Sequence, residues 1–393
     1  MRRHPAPAEP TPQATAEVLS VSIDVSAVPE RPAGAGYYTL ELVRALERAG
    51  AASLTLVTRR GDALRWSTLA PGARLMEAAP RPRPARLAWE QLAMPRLLAA
   101  AGVGVHHSPH YTMPERSNLP RVVTIHDVTF FDHPEWHERA KVPVFRRAIR
   151  LAARRADALV CVSSVTAGRL EALLAPEAPV IVVPHGVDHE RFRPEEPEPG
   201  ADAAALAALG VVEPYVAFVG TAEPRKGVTT LVRAFDRMCS AHRGLSLVLA
   251  GGHGWSGGPL QEALSSMKHP DRIVRTGYVP DAAVPALLRR AAAVAYPALE
   301  EGFGLPVLEA LACAAPVVTT SGTAMEEVAG PAALLVPPGD AGALAGALDM
   351  LVRGDAGLAS RRSRGLALAA GYTWEASAAG HMRAYRTAVE ARR

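Results

Sequence analysis

The chain has 393 residues, beyond what one ordinary hydrophobic core encloses, so two domains are expected. Its 49% hydrophobic and 21% charged residues argue against a disordered chain, and a formal charge of +4 gives no strong polyanion signal. Three cysteines far apart in sequence, Cys161, Cys239 and Cys313, argue against a disulfide framework or a clustered zinc site and for a reducing compartment.

Residues 1–16 are rich in Pro, Ala and Thr and read as a disordered tail. Pro5, Pro7, Pro10 and Pro12 interrupt the apolar stretch that a signal peptide would need. No later segment reaches the roughly 18 unbroken apolar residues of a membrane span. A soluble, cytoplasmic protein is expected, touching at most the inner membrane face from outside the bilayer.

β-rich runs then alternate with Ala/Leu-rich helical patterns. Val18–Val25, Leu54–Thr58, Val103–His107, Arg121–His126, Ala158–Ser163 and Val180–Val183 read as strands. Helices are expected at Tyr37–Ala49, Trp89–Ala101, Val142–Ala156 and Ala167–Leu174. After the acidic, Pro-rich stretch Arg193–Gly200 the alternation restarts. Tyr215–Val219, Ser246–Ala250, Ile273–Thr276, Ala293–Tyr296, Val317–Thr320 and Ala333–Val336 form the second set. The fold class is therefore α/β: two Rossmann-like domains whose parallel sheets face a central cleft, with ligands beyond the carboxyl ends of the strands.

Charge is unevenly spread. Through Arg193 there are 25 Lys and Arg against 19 Asp and Glu, a net of +6, and the remainder nets −2. Arg139, Arg146, Arg147, Arg150 and Arg154 lie on one side of an expected helix, with Val142, Phe145, Ile149 and Ala152 on another. Such a pair of stripes suits a solvated face over a packed one, with contact to anionic lipid as the rarer use. The loop Arg81–Arg86 is also basic and would suit an anionic acceptor. No aromatic residues interleave with it, so nucleic acid is not expected.

Chemistry gathers just after strands. Gly220 ends one strand, and Arg225-Lys226 follow it before the next helix. Adjacent cations there can hold a diphosphate and the charge of a leaving group. Tyr296 ends another strand, followed by Pro297-Ala298-Leu299-Glu300-Glu301-Gly302-Phe303-Gly304-Leu305-Pro306 and a helix through Leu308–Cys313. Its free N–H groups and dipole also suit a diphosphate. Glu301 and Glu309 can accept hydrogen bonds from hydroxyls of two sugars, a donor hexose and a ribose. No Asp-x-Asp occurs in the chain, so the common metal-binding signature of that spacing is absent. On the first side, His126 ends the apolar strand Val122–Ile125. Gly34-Ala35-Gly36 opens a helix but is not a dinucleotide fingerprint, since Thr39 stands where a third Gly would be needed. Ser163 and Ser164 read as a helix cap.

The order Gly220…Arg225-Lys226, Gly251-Gly252, Gly277-Tyr278-Val279-Pro280-Asp281, Glu301-Gly302-Phe303-Gly304-Leu305-Pro306-Val307-x-Glu309 resembles glycosyltransferase family 4 from about Val18 to the C-terminus. The resemblance implies a retaining GT-B enzyme using a nucleotide-diphosphate sugar. It places Glu301, with the backbone of Gly302, Phe303, Gly304 and Leu305, at the donor sugar and phosphate, and Glu309 at the ribose. Arg225 and Lys226 would hold the diphosphate, Gly220 and Gly36 would line its path, and Tyr278 and Val279 would meet the base. His126 would lie beside the donor sugar, positioning it. The glutamates would thus hold hydroxyls, so a dissociative front-face route is expected rather than a covalent one. Thr124–Phe130, Pro134-Glu135-Trp136 and Gly254-Trp255 resemble bacterial mannosyltransferases, which makes GDP-mannose the first-choice donor and a UDP-hexose the second. The acceptor is a hydroxyl compound of unknown identity, and no cofactor or metal is expected. A nucleotide-sugar epimerase or hydrolase, or a non-catalytic sugar-nucleotide binder, is the alternative. Family architecture also implies domains of 17–195 plus 374–393 and of 196–373, because the last helix would cross back to the first domain.

Overall fold

The computed structural model describes residues 18–252 and 258–393, so the tail at 1–16 and Gly254-Trp255 lie outside the described residues. Seven strands form the first sheet: β1 Leu19–Asp24, β2 Ala52–Arg59, β3 Arg74–Ala79, β4 Val105–Ser108, β5 Arg121–Ile125, β6 Ala158–Cys161 and β7 Val180–Val182. Six form the second: β8 Tyr215–Val219, β9 Ser246–Ala250, β10 Ile273–Gly277, β11 Ala293–Tyr296, β12 Val317–Thr320 and β13 Leu334–Val336. The orders are β3-β2-β1-β4-β5-β6-β7 and β10-β9-β8-β11-β12-β13, and every recorded pairing is parallel. Both are doubly wound, with the strand order reversing beside β1 and beside β8. Every residue of the central strands β4, β5, β6, β11 and β12 is buried, as strands covered by helices on both faces must be.

Four local expectations need correction. Strand β3 was not foreseen: it is an edge strand whose Arg74 and Glu77 are exposed, so it lacks the apolar run that marks the inner strands. The helix expected over Trp89–Ala101 is two, Arg83–Leu92 and Met94–Ala100. Pro95 supplies no N–H at that point and opens the second helix in its first turn. The same geometry puts Arg83 and Arg86 on a helix rather than in a loop. Arg139 precedes its helix, which runs Lys141–Arg155. Arg146 donates to the Phe130 and Phe131 carbonyls and Arg147 grips Glu115, so half of the basic stripe is spent on the protein itself.

The C-terminal helix Trp374–Glu390 packs against the first sheet, sharing a core with Val21, Val105, Val122 and Val160 through Ala378, Met382 and Tyr385. The chain therefore passes twice between the sheets. The two passages lie side by side, and Val187 N donates to Tyr372 O at 3.0 Å.

Candidate functional site

The carboxyl ends of the two sheets meet across a narrow seam. On the second side, β8 runs out at Val219 into Gly220 and leads to a single 3-10 turn, Pro224–Lys226. β11 ends at Tyr296 and leads through a loop to the helix Leu305–Ala312, capped by Gly304 in the left-handed region and carrying Pro306 in its first turn. These segments bring the two cations onto Glu301: Arg225 Nη1 lies 2.6 Å and Lys226 Nζ 3.8 Å from its carboxylate. Tyr296 O–H donates to Glu301 at 3.0 Å, and Glu223 pairs with Arg225 Nε at 2.9 Å.

The electrostatics follow from this clustering. Burial alone would raise the Glu301 carboxyl, but Arg225 and Lys226 outweigh it and hold it below its ordinary range. Burial likewise opposes the Arg225 charge, and Glu301, Glu223 and Asp127 overcome it, raising its pKa. Lys226 is pushed down by burial, with Glu301 opposing and Arg225 reinforcing the shift. The free protein therefore holds an ionised carboxylate and guanidinium that neutralise one another.

Glu309 belongs to a second cluster. Burial pushes its carboxyl up to about 7; the charge of Arg191 works against that shift and Asp281 adds to it. Arg191 donates to Tyr37 O–H at 2.9 Å and to the Asp281 carbonyl at 2.5 Å, so it bridges the two domains beside Glu309. Gly36 sits in the first turn of the helix Ala35–Ala49, against Val28, Pro29 and Pro32. Tyr278 is exposed beneath the Arg31 guanidinium, whereas Val279 is buried.

From the first domain, His126 reaches the seam at the end of β5. Its Nε2 donates to the Pro109 carbonyl at 2.8 Å, which fixes the tautomer, and burial lowers its pKa. Tyr38 and Tyr111 stand edge-on to the ring, at 5.1 and 5.8 Å between centroids. Gly302 packs directly on the His126 carbonyl, where any Cβ would overlap the oxygen. Ser163 caps the helix Ser164–Leu174, as expected, and its hydroxyl also donates to the Gly302 carbonyl at 2.7 Å. The Phe303 ring is buried against His185, at 4.8 Å between centroids.

His126, Arg225, Lys226, Glu301 and Gly302–Leu305 thus gather around one seam, with Gly220 beside Lys226. Glu309 lies apart from that cluster, in the field of Arg191 and Asp281, and Tyr278 lies on an exposed loop. Tyr296 and Arg191 were not singled out from sequence. Tyr296 carried a usable signal, an aromatic at the carboxyl end of an inner strand; Arg191 carried none, being one Arg in a basic half.

Two facing, parallel doubly wound sheets with cations and a glycine-led helix at their seam define the GT-B class of transferase. Residues 32–191 match the family model described as Glycosyltransferase Family 4, and residues 213–353 match Glycosyl transferases group 1. The chain is 30% identical over 287 residues to O-antigen chain mannosyltransferase B of Escherichia coli, covering 72% of this chain and 74% of that protein. It is 34% identical over 199 residues to the GDP-mannose-dependent alpha-(1-6)-phosphatidylinositol monomannoside mannosyltransferase of Mycobacterium tuberculosis, covering 48% of this chain but only half of that protein. Among solved structures, the sucrose-phosphate synthase of Thermosynechococcus elongatus superposes with a TM-score of 0.75 at 22% identity, over 94% of this chain and 98% of that one. The chain belongs to glycosyltransferase family 4, and it is a glycosyltransferase.

Proposed function

We propose that this enzyme transfers a hexosyl group, mannose in the first instance, from a nucleotide-diphosphate sugar to a hydroxyl of a glycan, lipid or small-molecule acceptor, with retention and without a metal. The observation that carries the reading is the Arg225–Lys226–Glu301 cluster lying between the glycine-led helix and His126. GDP-mannose is the first-choice donor, supported by the mannosyltransferase names of its relatives, and a UDP-hexose the second.

In the free protein Arg225 and Glu301 satisfy each other. An arriving diphosphate competes for Arg225 and Lys226, and the released Glu301 carboxylate accepts hydrogen bonds from sugar hydroxyls. Phosphate and sugar recognition are thereby coupled through one ion pair. Glu309, near its midpoint at neutral pH, both donates to and accepts from ribose hydroxyls. In the transfer the acceptor oxygen bonds to the anomeric carbon on the face the diphosphate leaves. The glycosidic bond to phosphate breaks with its electron pair, and the acceptor proton passes to the departing phosphate. Arg225, Lys226 and the amides of Gly302–Leu305 stabilise that anion. His126 orients the donor sugar, since its lowered pKa and fixed tautomer favour a neutral ring. A cytoplasmic site is consistent with the free, buried cysteines and with the lack, among the described residues, of any helix long and apolar enough to cross a membrane.

Donor turnover with GDP-mannose and UDP-hexoses, with and without EDTA, tests the proposal. Lys226→Ala is expected to lower kcat about 10²–10³-fold, the usual loss for a group stabilising a leaving charge, and EDTA to leave the wild type unchanged. Full loss of activity on chelation would sink the metal-free reading, and inversion at the anomeric carbon of the product would sink retention.

A further inference from the structure

One cluster of ionisable groups lies outside the donor site. A narrow pocket of about 40 Å³ opens between the helix Arg83–Leu92 and the carboxyl ends of β1 and β4. It has room for a water or two, or for the hydroxyl edge of one ring, but not for a whole sugar. Asp24 and Glu90 form its inner wall, His110 and Thr112 its side, and Arg83 and Arg86 its rim.

Asp24 accepts from Ser26 N at 2.9 Å, but several of these groups keep unused hydrogen-bonding capacity. Glu90 is only 4% exposed, and burial together with the nearby Asp24 charge pushes it up to about 8, so it holds a proton at neutral pH. Thr112 O–H and Gln91 Nε2 donate to its two oxygens, at 2.9 and 3.1 Å, leaving its own proton for another acceptor. His110 Nδ1 is fully buried with no hydrogen-bond partner, a costly arrangement unless something fills it. Arg86 forms no ion pair among the described residues, and burial lowers its pKa. Arg83 is exposed over the Phe145 ring. The pocket also adjoins the donor side of the seam: Pro109 accepts from His126, and the His110 ring lies 5.9 Å from that of His126.

We infer that this pocket is the acceptor subsite and takes a hydroxylated ring bearing an anionic group such as phosphate, with ring hydroxyls on Asp24, Glu90 and His110 and the anion at the rim on Arg83 and Arg86. Seated there, the remainder of the ring lies beside His126, where the donor sugar is placed. The inference rests on the transferase reading above and adds to it the chemistry of the acceptor. An uncharged glycan would leave the two rim arginines unused, and a ligand lacking hydroxyls would leave His110 and Glu90 unsatisfied.

Calorimetric titration tests it, using protein saturated with GDP or UDP, whichever raises its melting temperature. The titrants are mannose 6-phosphate and methyl α-mannoside, an anionic and an uncharged form of one sugar. The phosphorylated sugar is expected to bind at least tenfold more tightly. Arg86→Gln and Arg83→Ala are expected to erase that preference, and Asp24→Asn to weaken both sugars, with the nucleotide-induced melting shift retained in every variant. Equal affinity of the wild type for both sugars, no binding of either, or a preference that survives both arginine substitutions overturns the inference alone. Absence of any nucleotide-induced shift in the wild type overturns the transferase reading with it.

Discussion

Glu309 shows how position rather than residue type sets chemistry. Glu301 and Glu309 are both partly buried, yet they are driven in opposite directions: two cations hold Glu301 ionised, while desolvation outweighs Arg191 at Glu309 and lifts it to about 7. A raised carboxyl stabilises the fold fully below its unfolded pKa of about 4.5, and that contribution is lost as pH rises through 7. Glu309→Gln cannot titrate. Its stability relative to wild type is therefore expected to increase between pH 5 and pH 8, by on the order of 1–3 kcal/mol. Urea denaturation of both proteins at the two pH values checks this; a constant difference would show that Glu309 is ionised throughout. Gly302 is set by the same kind of local constraint. Its backbone lies against the His126 carbonyl, so the loop between β11 and its helix is positioned by contact with the opposite domain.

At the scale of elements, the C-terminal helix is tied to the first sheet by an ordered chain of hydrogen bonds. His381 Nδ1 donates to the Ser377 carbonyl at 2.8 Å, so its Nε2 accepts from Tyr38 O–H at 2.7 Å. Tyr38 then accepts from Thr124 at 2.9 Å, Thr124 from His107 Nε2 at 2.8 Å, and His107 Nδ1 from Tyr385 O–H at 2.9 Å. Each group has one role, and both histidines are kept neutral, chiefly by burial. The chain joins β4, β5 and the helix Ala35–Ala49 to the terminal helix, and Tyr38 also packs edge-on to His126. Tyr385→Phe would leave His107 Nδ1 buried without a donor. A loss of about 1–3 kcal/mol is expected in equilibrium denaturation. A neutral substitution would mean that the chain does not order the helix.

At the scale of the whole molecule, polar contacts cross the seam between the two domains beside the apolar packing of Val162, Val187 and Phe192 on the second-domain core. Glu327 accepts from Ser164 N and Val165 N at 3.0 and 3.1 Å, capping a first-domain helix from the second domain. Ser163 reaches Gly302, and Arg169 pairs with Glu300. Contacts of this kind can make and break together, with the two chain passages that are hydrogen-bonded at Val187 and Tyr372 serving as the hinge. Removing the Glu327 cap costs about 1 kcal/mol of the closed form, roughly a fivefold shift toward open conformers. Small-angle scattering of Glu327→Ala is expected to give a larger radius of gyration than wild type, and saturating nucleotide diphosphate to reduce the difference. An unchanged radius would show that this cap does not hold the seam.

Much of this molecule was legible in the residues. Strand-to-helix alternation gave both sheets, because inner parallel strands such as Val122–Ile125 and Ala293–Tyr296 must be apolar on both faces. The glycine-led loop and its flanking charges marked the donor side, because close backbone approach and a helix start impose residue types at fixed spacing. Edge strand β3 and the break at Pro95 were missed, since a half-exposed strand and two helices in near-continuation leave little periodic trace. What only the tertiary structure decided is which groups meet. It paired Glu301 with Arg225 but set Glu309 beside Arg191, and it put Asp24, Arg86, Glu90 and His110 around one pocket. Local spacing constrains backbone conformation, whereas burial and through-space charge depend on segments distant in the chain, and these determine what each side chain can do.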